Sequence, residues 1–156
     1  MAIYLALDGI KGSSTDVNFK DLIELQSFQW GAGIGVGSAS GGDRTTSQPS
    51  VSEITGSKQL DKSSQDLFKN LLSGTPITKG VVSFVVSSKG ESIAYASLEL
   101  TDVIISGFSQ SSGGDFPTES VSLNFTKFDW SFTGRDVTQT GAATHLIYDL
   151  SANKVG

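Results

Sequence analysis

The sequence has no cysteine, which excludes disulfides, thiolate zinc sites and cysteine nucleophiles. It has one histidine, His145, so a multi-histidine metal site within one chain is excluded as well. Charge is sparse: 17% of residues are Asp, Glu, Lys or Arg, against ~25% in an average domain. The 11 basic residues are scattered singly and are outweighed by 16 acidic ones, for a net charge of -5. No cationic stripe tracks phosphates, so neither nucleic acid nor an anionic membrane surface is an expected partner. No apolar run approaches the ~18 residues of a spanning helix. The first dozen residues carry no basic region ahead of their short apolar stretch and do not read as a cleaved signal peptide. The expectation is a protein that assembles in the cytoplasm and, if it leaves, leaves by another route.

What remains is rich in Ser, Thr and Gly. The chain has 156 residues, 37% of them apolar, with nine Phe against one Met. That is too apolar for general disorder and long enough for one self-sufficient core, so residues 1–156 are expected to form a single domain. Few Lys and Glu on a Ser- and Thr-rich surface suit β-strands and protein contacts.

Period-2 patterning dominates. Ile3, Leu5 and Leu7 alternate along a strand over 2–8. Over 22–30 the apolar set changes parity, from Ile23 and Leu25 to Phe28 and Trp30. A flat strand cannot keep one face buried through that change. It needs a bulge or a move from one packing layer to another. The same change separates Val121, Leu123 and Phe125 from Phe128, Trp130 and Phe132. Over 93–105, Ile93 and Tyr95 give way to Leu98 and Leu100, then to Val103 and Ile105. Long strands that turn corners close an antiparallel sheet into a barrel or an orthogonal sandwich. Residues 81–86 are apolar on both faces and predict a central strand. Residues 87–91 predict a hairpin turn, and 145–150 a final strand.

One segment, 61–74, reads as a helix. Ser63 is a candidate N-cap with Asp66 three residues on, and Leu67, Phe68, Leu71 and Leu72 make an apolar stripe. Gly74 suits the C′ position and Pro76 stops continuation. Two segments read as loops, a long Gly-rich excursion at 31–49 and a second at 107–117.

Candidate chemistry is thin. Gly31, Gly33, Gly35 and Gly37 lack a following Gly-Lys-Ser/Thr and a βαβ setting, so a flexible loop is the better reading than a phosphate cradle. Alternating Gly does leave Ile34 and Val36 as exposed apolar residues on an arm. His145 is the one possible catalytic base, with no Gly-x-Ser-x-Gly elbow to serve it. Glu91, Glu99, Asp102, Asp115, Glu119 and Asp129 have no distinctive spacing and read as solvated strand faces. Trp30 and Trp130 read as core or rim packing, since flanking Phe28 and Phe132 argue against an exposed platform. No enzyme, metal or cofactor is indicated.

Several strings in order carry a resemblance. They are Ile3 to Leu7 with Asp8-Gly9-Ile10-Lys11-Gly12, and Phe28-Gln29-Trp30-Gly31 with its Gly-rich excursion. Leu60-Asp61-Lys62-Ser63-Ser64 then leads into the helix, and Pro117-Thr118-Glu119-Ser120-Val121-Ser122-Leu123-Asn124-Phe125 leads into Phe128-Asp129-Trp130. The set resembles the haemolysin-coregulated protein (Hcp) family of the type VI secretion system. The resemblance implies a mainly β chain, a small antiparallel β-barrel of two curved sheets with one flanking helix, as in phage tail-tube proteins. It implies homohexameric rings that stack into a tube ejected by a contracting sheath, carry small effectors, and meet sheath, spike and baseplate proteins. On it, Ile34, Val36, Asp43 and Arg44 are expected in ring stacking, and Ser27 and Gln29 on the lumen wall. A phage-derived tail-tube protein and a monomeric β-barrel module binding a glycan or peptide are the alternatives.

Overall fold

Three of the predicted changes of apolar parity, at 25–28, 100–103 and 125–128, are places where the chain passes between two curved antiparallel sheets, and the change from Tyr95 to Leu98 falls at a register shift within one sheet. The computed structural model describes residues 1–37, 44–134 and 142–156. In the first sheet β1 (Ala2–Leu7) pairs with β2 (Ile23–Leu25) on one side and β7 (Ile77–Ser88) on the other. Strand β7 then pairs with β8 (Glu91–Ser111), and β8 with β10 (Lys127–Phe132). The second sheet runs from β3 (Ser27–Gln29) through β6 (Ile54–Gln59) and β9 (Thr118–Asn124) back to β8.

Two strands serve both sheets. Between β2 and β3 only Gln26 intervenes, and its N–H bonds Ser57 O at 2.7 Å, so Leu25 and Phe28 both point inward from different sheets. Strand β8 pairs with β10 through Thr101, with β7 through Val103, and with β9 from Ile104 onward. At the junction Asp102 adopts a left-handed backbone with φ 55°, which shifts the core set from Leu98 and Leu100 to Val103 and Ile105. Strand β7 turns with it, because Lys79↔Thr101 and Ile77↔Val103 are both in register while Ile77 and Gly80 are both buried. The last parity change falls between β9 and β10, where Phe125 and Phe128 are buried on either side of the break.

The central position expected of 81–86 holds, since β1 and β8 flank it. A register shift between Phe84 and Val85 moves the buried set from Val82 to Val85, so Val81 and Val86 are only half-buried. The hairpin turn is tighter than 87–91: Lys89 and Gly90, at φ 52° and 81°, make it alone, and their handedness matches the strand twist. The expected loop at 107–117 begins later. Strand β8 continues to Ser111 because β9 supplies partners for its Ser- and Gly-rich end, and Phe108 stacks on Phe68 with centroids 5.2 Å apart. After β10, β11 (Thr144–Asp149) and the short β12 (Lys154–Val155) extend the first sheet.

The helix α1 (Ser64–Ser73) caps one end of the sheets. Leu67 is fully buried and Leu71 packs on the core, but Phe68 and Leu72 are exposed, so the stripe is narrower than its sequence. Ser63 holds the N-cap position without a side-chain cap bond. Instead the Asp61 carboxylate accepts from the Ser63 N–H at 2.8 Å and from its hydroxyl. Gly74 ends the helix at φ 63°, where a side chain would be strained, and Thr75 N–H bonds back to Asn70 O.

A buried ion pair ties this end together. Lys58 of β6 and Glu119 of β9 meet at 2.7 Å with neither side chain exposed. Lys58 Nζ also donates to Ser64 Oγ at 3.1 Å and Gln59 O at 2.9 Å, and lies 3.0 Å from Asp61. Glu119 accepts from Ser64 Oγ at 2.9 Å and from Gln110 Nε2 at 3.1 Å. Glu119, expected on a solvated face, is thus inside, because three donors replace its water. A second polar tie holds the 12–22 excursion. Asp16 accepts from the Ser92 hydroxyl at 2.7 Å, and this bond, followed by the Asn18 N–H, holds its carboxyl below the usual carboxylate range.

Removing one charge of the buried pair leaves the other unpaired, at a cost of ~3–5 kcal/mol. Lys58→Met alone should therefore lower the urea midpoint steeply. The double variant Lys58→Met with Glu119→Leu should recover most of the loss.

Candidate assembly surfaces

The excursion at 31–49 is a β-ribbon at its base. Strands β4 (Ala32–Gly33) and β5 (Ser50–Val51) pair, and Val36 bridges Thr46 further out. Gly35 N–H bonds Ser47 Oγ at 2.8 Å while Ser47 N–H bonds Gly35 O at 2.9 Å. A Cβ on Gly35 would lie 2.6 Å from that hydroxyl, so glycine is needed for the approach. The Gly-x-Gly run thus serves strand contact, and the described part of the excursion is not the structureless loop its composition suggests. Ile34 and Val36 are 48% and 51% exposed, with no core beneath them. Arg44 is exposed near the outer part of the ribbon, and it has no ion-pair partner among the described residues. Asp43 lies outside the described residues.

Ser27 and Gln29 are exposed on the outer face of the second sheet. Their cross-strand neighbours there are Ser57 and Thr55, which in turn face Ser120 and Ser122. Ser27 and Ser57 share a 2.6 Å hydroxyl hydrogen bond. This face presents hydroxyls and amides and no charge among these positions. The outer face of the first sheet is different. It carries the Lys79–Glu99 pair at 3.4 Å and the His145–Asp129 pair at 2.8 Å. His145 Nδ1 meets a carboxylate there, on an open strand with half of each pair exposed, and no nucleophile is hydrogen-bonded to its ring among the described residues.

A third surface was not read from the sequence. Strands β10 and β11 lie beyond β8, outside the circuit of strands that faces the second sheet. In register, Leu98 faces Trp130 and Leu146, and Leu100 faces Phe128 and Tyr148, so all share the core side. Phe128 is buried by Phe125 and by Trp30, whose ring meets it edge-on at 5.0 Å. Trp130, Phe132 and Leu146, further along, are 46%, 47% and 43% exposed. Trp30 packs at the rim as expected. Trp130 sits at the rim as well, its ring meeting Trp30 edge-on at 5.8 Å while it stays about half exposed, like the flanking Phe132. Trp30, Phe84, Tyr95 and Trp130 border a shallow apolar hollow of about 260 Å³. The outward edge of β11 is unpaired at Thr144 to Leu146 among the described residues, since β12 pairs only with Tyr148 and Asp149.

No described helix is long and apolar enough to cross a membrane. Comparison with curated proteins finds no match. The chain does match solved structures along nearly all its length. One described as a type six secretion system protein superposes with a TM-score of 0.90 at 25% identity, over 99% of each chain. Hcp1 from Salmonella typhimurium gives 0.80 at 28% identity, over 99% of this chain and 98% of that one. Hcp2 from Salmonella typhimurium gives 0.73 at 27% identity, over 99% of both. Residues 4–132 match the family model described as type VI secretion system effector, Hcp. With two curved sheets, one flanking helix and this match over most of its length, the chain belongs to the Hcp family of type VI secretion proteins.

Proposed function

We propose that this chain is a structural tube subunit. It closes as a single-domain protomer into hexameric rings that stack into a tube driven outward by a contractile sheath. It is assembled in the cytoplasm and then secreted, with small effectors held in the lumen and sheath, spike and baseplate proteins as partners. The observation that carries this reading is the half-exposed far part of the inner face of β10 and β11. Trp130, Phe132 and Leu146 point to the core side yet stay 46%, 47% and 43% exposed, although Trp30 meets the Trp130 ring edge-on. A contiguous apolar surface beside an unpaired strand edge favours another chain. An edge that takes a neighbour in one direction, while a different patch is offered in the other, makes a heterologous contact of the kind that closes rings.

The remaining surfaces take roles by chemistry. The hydroxyl- and amide-lined face of Ser27 and Gln29 suits a polar wall that passes cargo without binding it by charge. The ribbon carrying Ile34, Val36 and Arg44 reaches ~20 Å from its base at ~3.3 Å per residue, far enough to meet an adjacent ring. The exposed Lys79, Glu99, Asp129 and His145 of the other face remain solvated surface.

Leu146→Asp or Phe132→Asp should convert rings to monomers with unchanged circular dichroism, as expected for aromatic and aliphatic anchors worth ~2 kcal/mol or more each; mass by light scattering reads the outcome. Deletion of residues 33–47 should leave rings and abolish tubes in negative-stain images. Gln29→Arg should alter effector retention in pull-down and leave ring mass unchanged; loss of rings would remove Gln29 from the lumen wall.

A further inference from the structure

The ribbon and a shallow groove lie at opposite ends of the same pair of strands. Strands β3 and β6 are antiparallel neighbours, and the ribbon joins the end of β3 to the start of β6. At the far end, where β2 begins, β6 ends and β9 begins, a groove of about 340 Å³ is bordered by Glu24, Gln26, Gln59, Leu60, Asp61 and Phe116. The two are about 20 Å apart, the length of a six-residue strand.

Their chemistries are complementary. The ribbon offers Ile34 and Val36, about half exposed, and Arg44, which has no ion-pair partner among the described residues. The groove offers Phe116 and Leu60, 61% and 38% exposed, and two carboxylates with no cation among the residues bordering it. Asp61 already gives Oδ1 to Lys58 and Ser63, whereas Glu24 has no ion-pair partner among the described residues. Gln26 and Gln59 border the same groove and carry amide acceptors. A guanidinium, with its planar fork of donors, fits a carboxylate flanked by amide acceptors.

The geometry points to a second copy of this chain as the occupant. The ribbon of one protomer docks in the groove of the protomer above it, with Arg44 on Glu24 and with Ile34 and Val36 against Leu60 and Phe116. The contact is head to tail, so it repeats without closing, as a stack requires. It rests on the tube reading and names the receptor for the ribbon. Because both partners are in one chain, every ring offers free ribbons at one end and free grooves at the other.

The absence of cysteine makes the test clean. Val36→Cys and Phe116→Cys proteins, mixed and oxidised, should give a disulfide between positions 36 and 116 of different chains, identified by mass spectrometry of the linked peptides. Arg44→Glu and Glu24→Arg should each reduce stacked rings by about tenfold or more in electron micrographs while light scattering still shows rings. The double variant should restore stacking. Rings that give no 36–116 link, or a Glu24→Arg protein that stacks like the parent, overturn the groove and leave the ring reading standing. A parent protein that stays monomeric in concentrated solution overturns both.

Discussion

The left-handed turn at Asp102 is the constraint on which the architecture rests. Strand β8 belongs to both sheets only because its buried set changes side there. Leu98 and Leu100 face the core from one sheet, and Val103 and Ile105 face it from the other. Without the change, one half of a 21-residue strand would turn its apolar side to water. At the opposite corner Gln26 does the same for β2 and β3 with a single intervening residue. With a third between β9 and β10, these corners bring the sheets face to face around a core shared by β1, β6, β7, β8 and β9.

The Lys58–Glu119 pair secures the end that these corners leave open. It links β6, β9, the far part of β8 through Gln110, and the first residue of α1 through Ser64. An apolar contact would hold these elements together with less directional preference. Hydrogen bonds to both charges set where the helix begins, and Asp61 contributes to the same network while capping Ser63. The helix then needs only Leu67 and Leu71 on the core, which leaves Phe68 to stack on Phe108 at the surface.

Much of this was legible in the sequence because period-2 patterning reports which side of a strand is covered. The parity changes at 25–28, 100–103 and 125–128 marked the corners. Parity also carried a signal that was passed over. Lys58 shares its parity with Ile54 and Gly56, and Glu119 with Val121 and Leu123, so both sit on the inward side of their strands. The exposed face at Trp130, Phe132 and Leu146 was not legible, since an inward apolar residue reads the same whether its own chain or another covers it. Residues 107–111 looked like turn because Ser and Gly dominate there, yet β9 extends them as strand. Ser63 looked like a helix cap by type, but its hydroxyl donates to Asp61 and makes no cap bond.

A strand as long as β8 would ordinarily be the element most free to slide past its neighbours. Asp102 forbids it. Displacement by one residue would force Thr101 or Val103, both β-branched, into the left-handed region at a cost of ~1–2 kcal/mol, besides turning the core outward. A single aspartate thus acts as an index mark along the sheet, and every copy of the chain presents its rim, ribbon and groove at the same height.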